Sequence, residues 1–361
     1  MTRTVLIMAG GTGGHVFPAL AAARVLRERG FEPVWLGTQR GLEARLVPPH
    51  RIPIEWISVA GLRGKGALTW LLAPFRLVRA LQQSLTVMRR RRPDVVLGAG
   101  GFVSGPGGLA AWLTRRPLVI HEQNAIAGLT NRVLSRFAAR VFEAFPNSFR
   151  RQGAECVGNP VRREIARLVA PRKRFAQRQG PIRLLIIGGS QGAARLNAVV
   201  PAALALLPLE LRPQVVHQAG EQHMQKTLDA YRDLGVQADV RPFIDDMAER
   251  YAWADLAVCR AGALTVSELA AAGLGAIFVP FAAAVDDHQT HNARYLADVD
   301  AARVVAESEL TPTRLAAELK ALLVPGRARL LQMAERAREQ AIADADVRLA
   351  EACIAAAGGE S

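Results

Sequence analysis

A β-branched apolar run, Thr4 to Met8, passes directly into Gly10-Gly11-Thr12-Gly13-Gly14-His15, and the pairing of such a run with a glycine loop recurs along the chain. Val95 to Leu97 leads into the loop Gly98 to Gly108, and Arg183 to Ile187 leads into Gly188-Gly189-Ser190-Gln191-Gly192. Behind the first loop, the Ala/Leu-rich stretch Pro18 to Arg29 predicts a helix stopped by Gly30, and Pro33 to Leu36 predicts the next strand. Strand, glycine loop, helix, strand is the order of a βαβ unit with a buried parallel sheet. Further strand-like runs lie at Pro117 to Ile120, Gln214 to His217, Ala238 to Arg241, Leu256 to Val258 and Ala276 to Val279. The pattern occurs twice, so the expectation is an α/β chain of two doubly wound, Rossmann-like domains facing across a cleft. The spans expected are 1–160 for the first domain and 161–335 for the second. The polar, basic stretch Arg162 to Arg183, carrying Pro171, Gly180 and Pro181, reads as the connection. The segment from about Thr311 to Ala357 is Ala/Leu/Arg/Glu-rich and reads as helical, with 336–361 expected to pack back on the first domain.

Composition removes several alternatives. Half of the 361 residues are apolar and 22% are charged, which is globular and not disordered. The three cysteines (Cys156, Cys259, Cys353) have no paired spacing, so neither a disulfide framework nor a zinc cluster is expected, and a reducing, cytoplasmic setting fits. The apolar run within Met1 to Ala9 is too short for a signal-peptide core, and no stretch is long and uncharged enough to span a bilayer.

The net charge of +14 is carried entirely by residues 1–160, which hold 22 Lys and Arg against 8 Asp and Glu; the remainder is balanced at 24 of each. Such asymmetry points to an anionic partner for the first half. Its densest part, 56–93, has eight basic residues and no acidic one. Arg63, Lys65, Arg76 and Arg79 are interleaved there with Trp70, Leu71, Leu72 and Phe75, and Pro74 marks a helix start or kink. An aromatic, aliphatic face edged by arginines has the composition of a segment lying in an anionic membrane interface, and Trp112 is a candidate addition. A core-facing helix with solvated arginines has the same composition. Nucleic acid is not expected, since the patch is aliphatic and no nucleic-acid module signature accompanies it.

Glycine loops let a backbone approach a ligand closely, and a helix beginning there aims free N–H groups at an anion. One such loop means little, because tight turns need glycine anyway; three after predicted strands mean more. None continues into a P-loop Gly-Lys-Ser/Thr, and none is a clean dinucleotide fingerprint. His15 closes the first loop where a helix should start, which suits a general base near neutral pH as well as it suits a cap. In Arg260 to Glu268, a helix N-terminus at Ala263 to Thr265 can hold a diphosphate, and Glu268 can accept hydrogen bonds from sugar hydroxyls or simply favour the helix dipole. The adjacent pairs Asp245-Asp246 and Asp286-Asp287, the Asp344/Asp346 pair and the nearby His288 and His291 make a poor case for a metal, and neither metal nor cofactor is expected.

Six segments now occur in order: the Gly10–His15 loop, Gly100-Gly101-Phe102-Val103-Ser104-Gly105-Pro106, His121-Glu122-Gln123-Asn124, Gly158-Asn159-Pro160-Val161-Arg162, Gly188-Gly189-Ser190-Gln191-Gly192-Ala193 and Arg260–Glu268. Together they resemble the MurG-type glycosyltransferases of bacterial cell-wall synthesis, over about residues 5 to 297. The resemblance implies the GT-B fold and an inverting, cofactor-free transfer of N-acetylglucosamine from UDP-N-acetylglucosamine. The acceptor implied is the 4-hydroxyl of undecaprenyl-diphosphate-linked muramyl-pentapeptide (lipid I), and the product lipid II. It further implies that Thr12, Gly13, Gly14 and Asn124 line the cleft from the first domain. Arg162, Ser190, Ile244, Ala263, Leu264, Thr265, Val266, Ser267, Glu268 and Gln289 would contact the nucleotide sugar. Ile244 would touch uracil, Glu268 the ribose, Ser190 with the Leu264–Thr265 helix start the phosphates, and Gln289 the sugar, while His15 is the choice for the base. The Phe281–Asp287 stretch departs from the family's shorter, more polar loop, so Gln289 is placed by aligning through Asn292. The enzyme would then work peripherally, on the cytoplasmic face of the bacterial inner membrane. A transferase acting on diacylglycerol, a UDP-sugar epimerase, a non-catalytic membrane scaffold and a dinucleotide oxidoreductase are the competing readings.

Overall fold

The computed structural model describes residues 3–59, 73–149, 153–188, 193–282 and 287–358. The chain divides into two compact units, Met1–Val161 with Asp344–Ser361, and Arg162–Ala343. In the first, β1 (Arg3–Met8), β2 (Phe31–Gly37), β3 (Ile54–Trp56), β4 (Val95–Gly98), β5 (Leu118–Glu122), β6 (Arg140–Glu143) and β7 (Glu155–Cys156) form a sheet ordered β3-β2-β1-β4-β5-β6-β7. Every pairing is parallel. In β1, Val5 and Ile7 enter the core on one face while Leu6 and Met8 enter the core on the other, all fully buried. A strand covered on both sides has no polar face to show, which explains its unbroken apolar run.

The second unit repeats the scheme with β8 (Arg183–Ile187), β9 (Gln214–Gln218), β10 (Asp239–Arg241), β11 (Leu256–Cys259), β12 (Ala276–Phe278) and β13 (Ala302–Val304), ordered β10-β9-β8-β11-β12-β13 and parallel throughout. Each sheet therefore has one topological switch point, between β1 and β4 and between β8 and β11. Ligands of doubly wound folds bind outside the carboxyl ends of strands at that place.

One sequence expectation is corrected. The first helix spans Gly13–Glu28, five residues earlier than Pro18, so two glycines and His15 form its opening turn. Pro18 sits inside the helix, where it removes the hydrogen bond to the Gly14 carbonyl. The terminal helical region is three helices, Pro312–Leu323, Arg327–Glu339 and Ala345–Ala356. The last of them belongs to the first unit, packing on the Gly13–Glu28 helix and placing Leu349, Ala350, Ala352, Cys353 and Ile354 in the core beside Val5 and Ile7.

Candidate functional sites at the two switch points

In the first unit, the loops after β1 and β4 meet at the switch point. Gly101, at φ +85°, lies so close that a Cβ on it would stand 2.3 Å from the Gly10 carbonyl oxygen. Only glycine combines that backbone conformation with that approach. The first loop is held from beneath by Glu43, fully buried, which accepts from the Gly11 N–H (3.0 Å) through Oε2 and from the Thr38 N–H (2.9 Å) and hydroxyl (2.8 Å) through Oε1. The second is held by Ser104 Oγ, which accepts from the Gly100 N–H at 3.1 Å. Thr12 is exposed at the N-cap, and its carbonyl accepts from the His15 and Val16 N–H groups.

His15 is half-buried, and its Nδ1 lies 2.9 Å from Gln123 Oε1. Gln123 continues inward to His121, whose Nε2 is 2.9 Å from the Gly158 carbonyl oxygen. Complete burial pushes the pKa of His121 down to about 4, so the ring is neutral at neutral pH. Asn124, beside them, donates to Glu122 Oε1 from its N–H (2.9 Å) and its side-chain amide (3.2 Å). Glu122 Oε2 takes the Gly128 N–H and the Asn131 amide, so one buried carboxylate sets the whole turn after β5.

In the second unit, β11 ends at Cys259 and the helix Ala263–Ala272 starts from the Gly262 N-cap. Its first intrahelical bond runs from the Val266 N–H to the Gly262 carbonyl, which leaves the amides of Ala263, Leu264 and Thr265 pointing off the helix end. Leu264, Thr265 and Ser267 are half-buried, whereas Ala263 and Val266 are buried. Glu268, 5% exposed, accepts from Arg162 Nε at 3.1 Å and Nη2 at 2.9 Å through Oε1, and from the Tyr251 hydroxyl at 3.0 Å through Oε2. Burial pushes its carboxyl pKa up, and the guanidinium and hydroxyl pull it back.

Gln289 Oε1 accepts from the Ala261 N–H at 3.2 Å and the Phe281 N–H at 2.9 Å, and Asn292 donates to the Ala261 carbonyl at 3.1 Å. Both amides therefore brace the turn from which the helix springs. The Ile244 N–H donates to Gln218 Oε1 at 3.2 Å, tying the stretch after β10 to the end of β9. Arg260 turns away from the helix end to the Val279 carbonyl and Glu307. Ser190 lies outside the described residues, as do Arg63, Lys65, Trp70, Leu71 and Leu72. Tyr251, Gln218, Glu43 and the pairing of Gln123 with His15 were not expected from sequence; each rests on a partner distant along the chain.

Phe75, Arg76 and Arg79 lie near the start of the helix Ala73–Arg91, all exposed, with Phe75 at 74%. Leu77 and Val78 are exposed beside them, and the helix packs on Ser104–Leu113, which presents Trp112 and Leu113. Trp112 stacks at a tilt on Phe137, also exposed, with 5.1 Å between ring centroids. Further along, Arg90 and Arg91 are taken up by Glu55, so the basic run is not uniformly free. No helix among the described residues is long and apolar enough to cross a membrane.

Two parallel Rossmann-like sheets, each with a glycine loop or helix N-terminus at its switch point, define the class of GT-B glycosyltransferases. Residues 5–143 match the N-terminal domain and 183–349 the C-terminal domain of glycosyltransferase family 28. The chain belongs to this family, in its MurG-type branch. It is 57% identical over 360 residues to a UDP-N-acetylglucosamine–N-acetylmuramyl-(pentapeptide) pyrophosphoryl-undecaprenol N-acetylglucosamine transferase of Nitrosococcus oceani, covering 99% of this chain and 100% of that protein. The protein of the same name in Marinobacter nauticus is 56% identical, covering 99% and 98%. The crystal structure of Acinetobacter baumannii MurG superposes with a TM-score of 0.86 at 42% identity, over 97% of this chain and 99% of that one.

Proposed function

We propose that this chain transfers N-acetylglucosamine from UDP-N-acetylglucosamine to the 4-hydroxyl of lipid I, forming lipid II for peptidoglycan. The observation that carries the reading is full-length identity above half to transferases bearing that name, with the expected motifs at both switch points. The α-linked donor and β-linked product require one in-line displacement. The acceptor oxygen forms a bond to the anomeric carbon as the bond from that carbon to the diphosphate oxygen breaks, and UDP leaves with the electron pair. The hydroxyl proton goes to His15. In the second unit, the amides of Ala263, Leu264 and Thr265 meet the diphosphate, and Glu268 accepts from the ribose hydroxyls. Arg162 adds positive charge beside them while fixing the Glu268 carboxylate. Supplied with labelled UDP-N-acetylglucosamine and a muramyl-pentapeptide polyprenyl diphosphate, the protein is expected to move label into the lipid. Label entering diacylglycerol instead, or epimerised sugar without acceptor, would replace this reading.

The acceptor's lipid tail gives the exposed apolar face a use. Phe75, Leu77, Val78, Trp112 and Phe137, with Arg76 and Arg79 and the neighbouring 60–72 stretch, suit docking on the anionic, cytoplasmic leaflet. Near such a surface each basic side chain contributes about 1 kcal/mol. Changing Arg63, Lys65, Arg76 and Arg79 together to Glu is expected to abolish co-sedimentation with phosphatidylglycerol vesicles at low salt; undiminished binding would place the docking face elsewhere.

A further inference from the structure

The polar chain behind His15 has a direction. At its inner end the Gly158 carbonyl can only accept, so the ring nitrogen of His121 that faces it at 2.9 Å, Nε2, bears the proton. The His121 ring is fully buried and neutral, its pKa pushed down to about 4, which leaves its Nδ1 a bare acceptor. The amide nitrogen of Gln123 lies 3.1 Å from that Nδ1 and 3.3 Å from the His121 carbonyl oxygen, a second group that cannot donate. Both neighbours demand the NH2 end of the amide, and this fixes which way Gln123 points. Its oxygen is thereby aimed at His15 Nδ1, 2.9 Å away, and an amide oxygen can only accept.

We propose that Gln123 and His121 are positioning residues that hold His15 in the Nδ1–H tautomer, keeping the lone pair on Nε2 for the acceptor hydroxyl. The inference rests on the reading of His15 as base and adds what makes it one. Which ring nitrogen of a histidine is protonated is set by the hydrogen bond the other makes. Here two carbonyl groups inside the protein settle the matter two side chains away from the ring. Gly100 completes the arrangement. It sits at φ +97°, and a Cβ there would stand 2.8 Å from His15 Nδ1 and 3.5 Å from Gln123 Oε1, in the path of this hydrogen bond.

The test uses the full-length protein with 15N-labelled histidine. Long-range proton–nitrogen correlation separates the protonated from the bare ring nitrogen, and His15 is assigned by its absence in His15→Ala. The wild type is expected to show a protonated Nδ1 and a bare Nε2 in its neutral form. Gln123→Leu should lose that bias and lower kcat by about tenfold or more, with KM for UDP-N-acetylglucosamine within about twofold. Gln123→Glu keeps an oxygen on His15 Nδ1 and offers another to a protonated His121, so it should restore the tautomer and most of the turnover. His121→Phe removes the ring acceptor but leaves the carbonyl oxygen of that residue, so it should weaken the tautomer bias and lower kcat by less than Gln123→Leu does. A wild-type His15 protonated on Nε2, or a Gln123→Leu variant with unaltered tautomer and kcat, would overturn the proposal. Full turnover in His15→Ala would overturn the base assignment separately, while the nitrogen spectra would still decide what sets the tautomer.

Discussion

His15→Ala is expected to lower kcat on the order of 100- to 10,000-fold, the usual contribution of a positioned general base. The dissociation constant for UDP-N-acetylglucosamine, measured by calorimetric titration, should stay within about twofold. The separation follows from where the groups sit. His15 is in the first unit, on the opening turn of the Gly13–Glu28 helix, whereas the carboxylate and helix-end amides assigned to the nucleotide belong to the second. Truncating an imidazole whose Nδ1 is bonded to Gln123 removes no diphosphate contact and leaves the backbone of the glycine loop in place. A fall in affinity that matched the fall in turnover would mean His15 grips the donor; unchanged turnover would assign the proton to another group or to water.

Glu268→Ala is expected to reduce affinity for UDP-N-acetylglucosamine by about 100-fold or more, two hydrogen bonds to a charged group being worth roughly 1.5–3 kcal/mol each. It also has a structural cost. The Tyr251 hydroxyl is buried with Glu268 as its acceptor, and leaving it unsatisfied costs about 1–3 kcal/mol, read as a lower unfolding midpoint. Arg162 contributes less to that loss, because its side chain is 43% exposed and can turn to water. Glu268→Gln separates the two effects. The amide oxygen can still accept from Arg162 while its NH2 donates to the Tyr251 hydroxyl oxygen, so stability should fall less than in the alanine variant, while the lost charge weakens the hold on the ribose. Wild-type affinity in Glu268→Gln together with loss of both properties in the alanine variant would make Glu268 a pillar of the helix and not a ligand contact.

The central strands were legible in the sequence because strands buried on both faces are written as unbroken apolar runs: β1, β4, β8 and β11 all read that way. Three of the four edge strands were not. β3 (Ile-Glu-Trp), β7 (Glu-Cys) and β13 (Ala-Arg-Val) are two or three residues long and mix polar with apolar side chains, so they exist only because a neighbouring strand is there to pair with. The start of the first helix was misplaced for a related reason. Glycine and proline carry poor helical propensity, and tertiary packing overrides it at Gly13, Gly14 and Pro18. The motifs named the site's residues, yet gave no partners. His15 and Gln123 are 108 positions apart, and Arg162 and Glu268 are 106 apart. No local pattern could pair them; only the switch points of the two sheets bring each couple together.

The helix Ala345–Ala356 has a consequence for how this protein is made. Beside the Gly13–Glu28 helix, it supplies part of the flank of the core that also contains Val5, Ile7, Val95 and Leu97, although about 250 positions or more separate it from those strands. During synthesis the amino-terminal sheet leaves the ribosome with part of that flank bare and must wait while the intervening Arg162–Ala343 unit, self-contained in sequence, is translated and folds. The half that is born first is finished last, and through that interval its uncovered apolar strands are the surface a nascent-chain chaperone would need to shield.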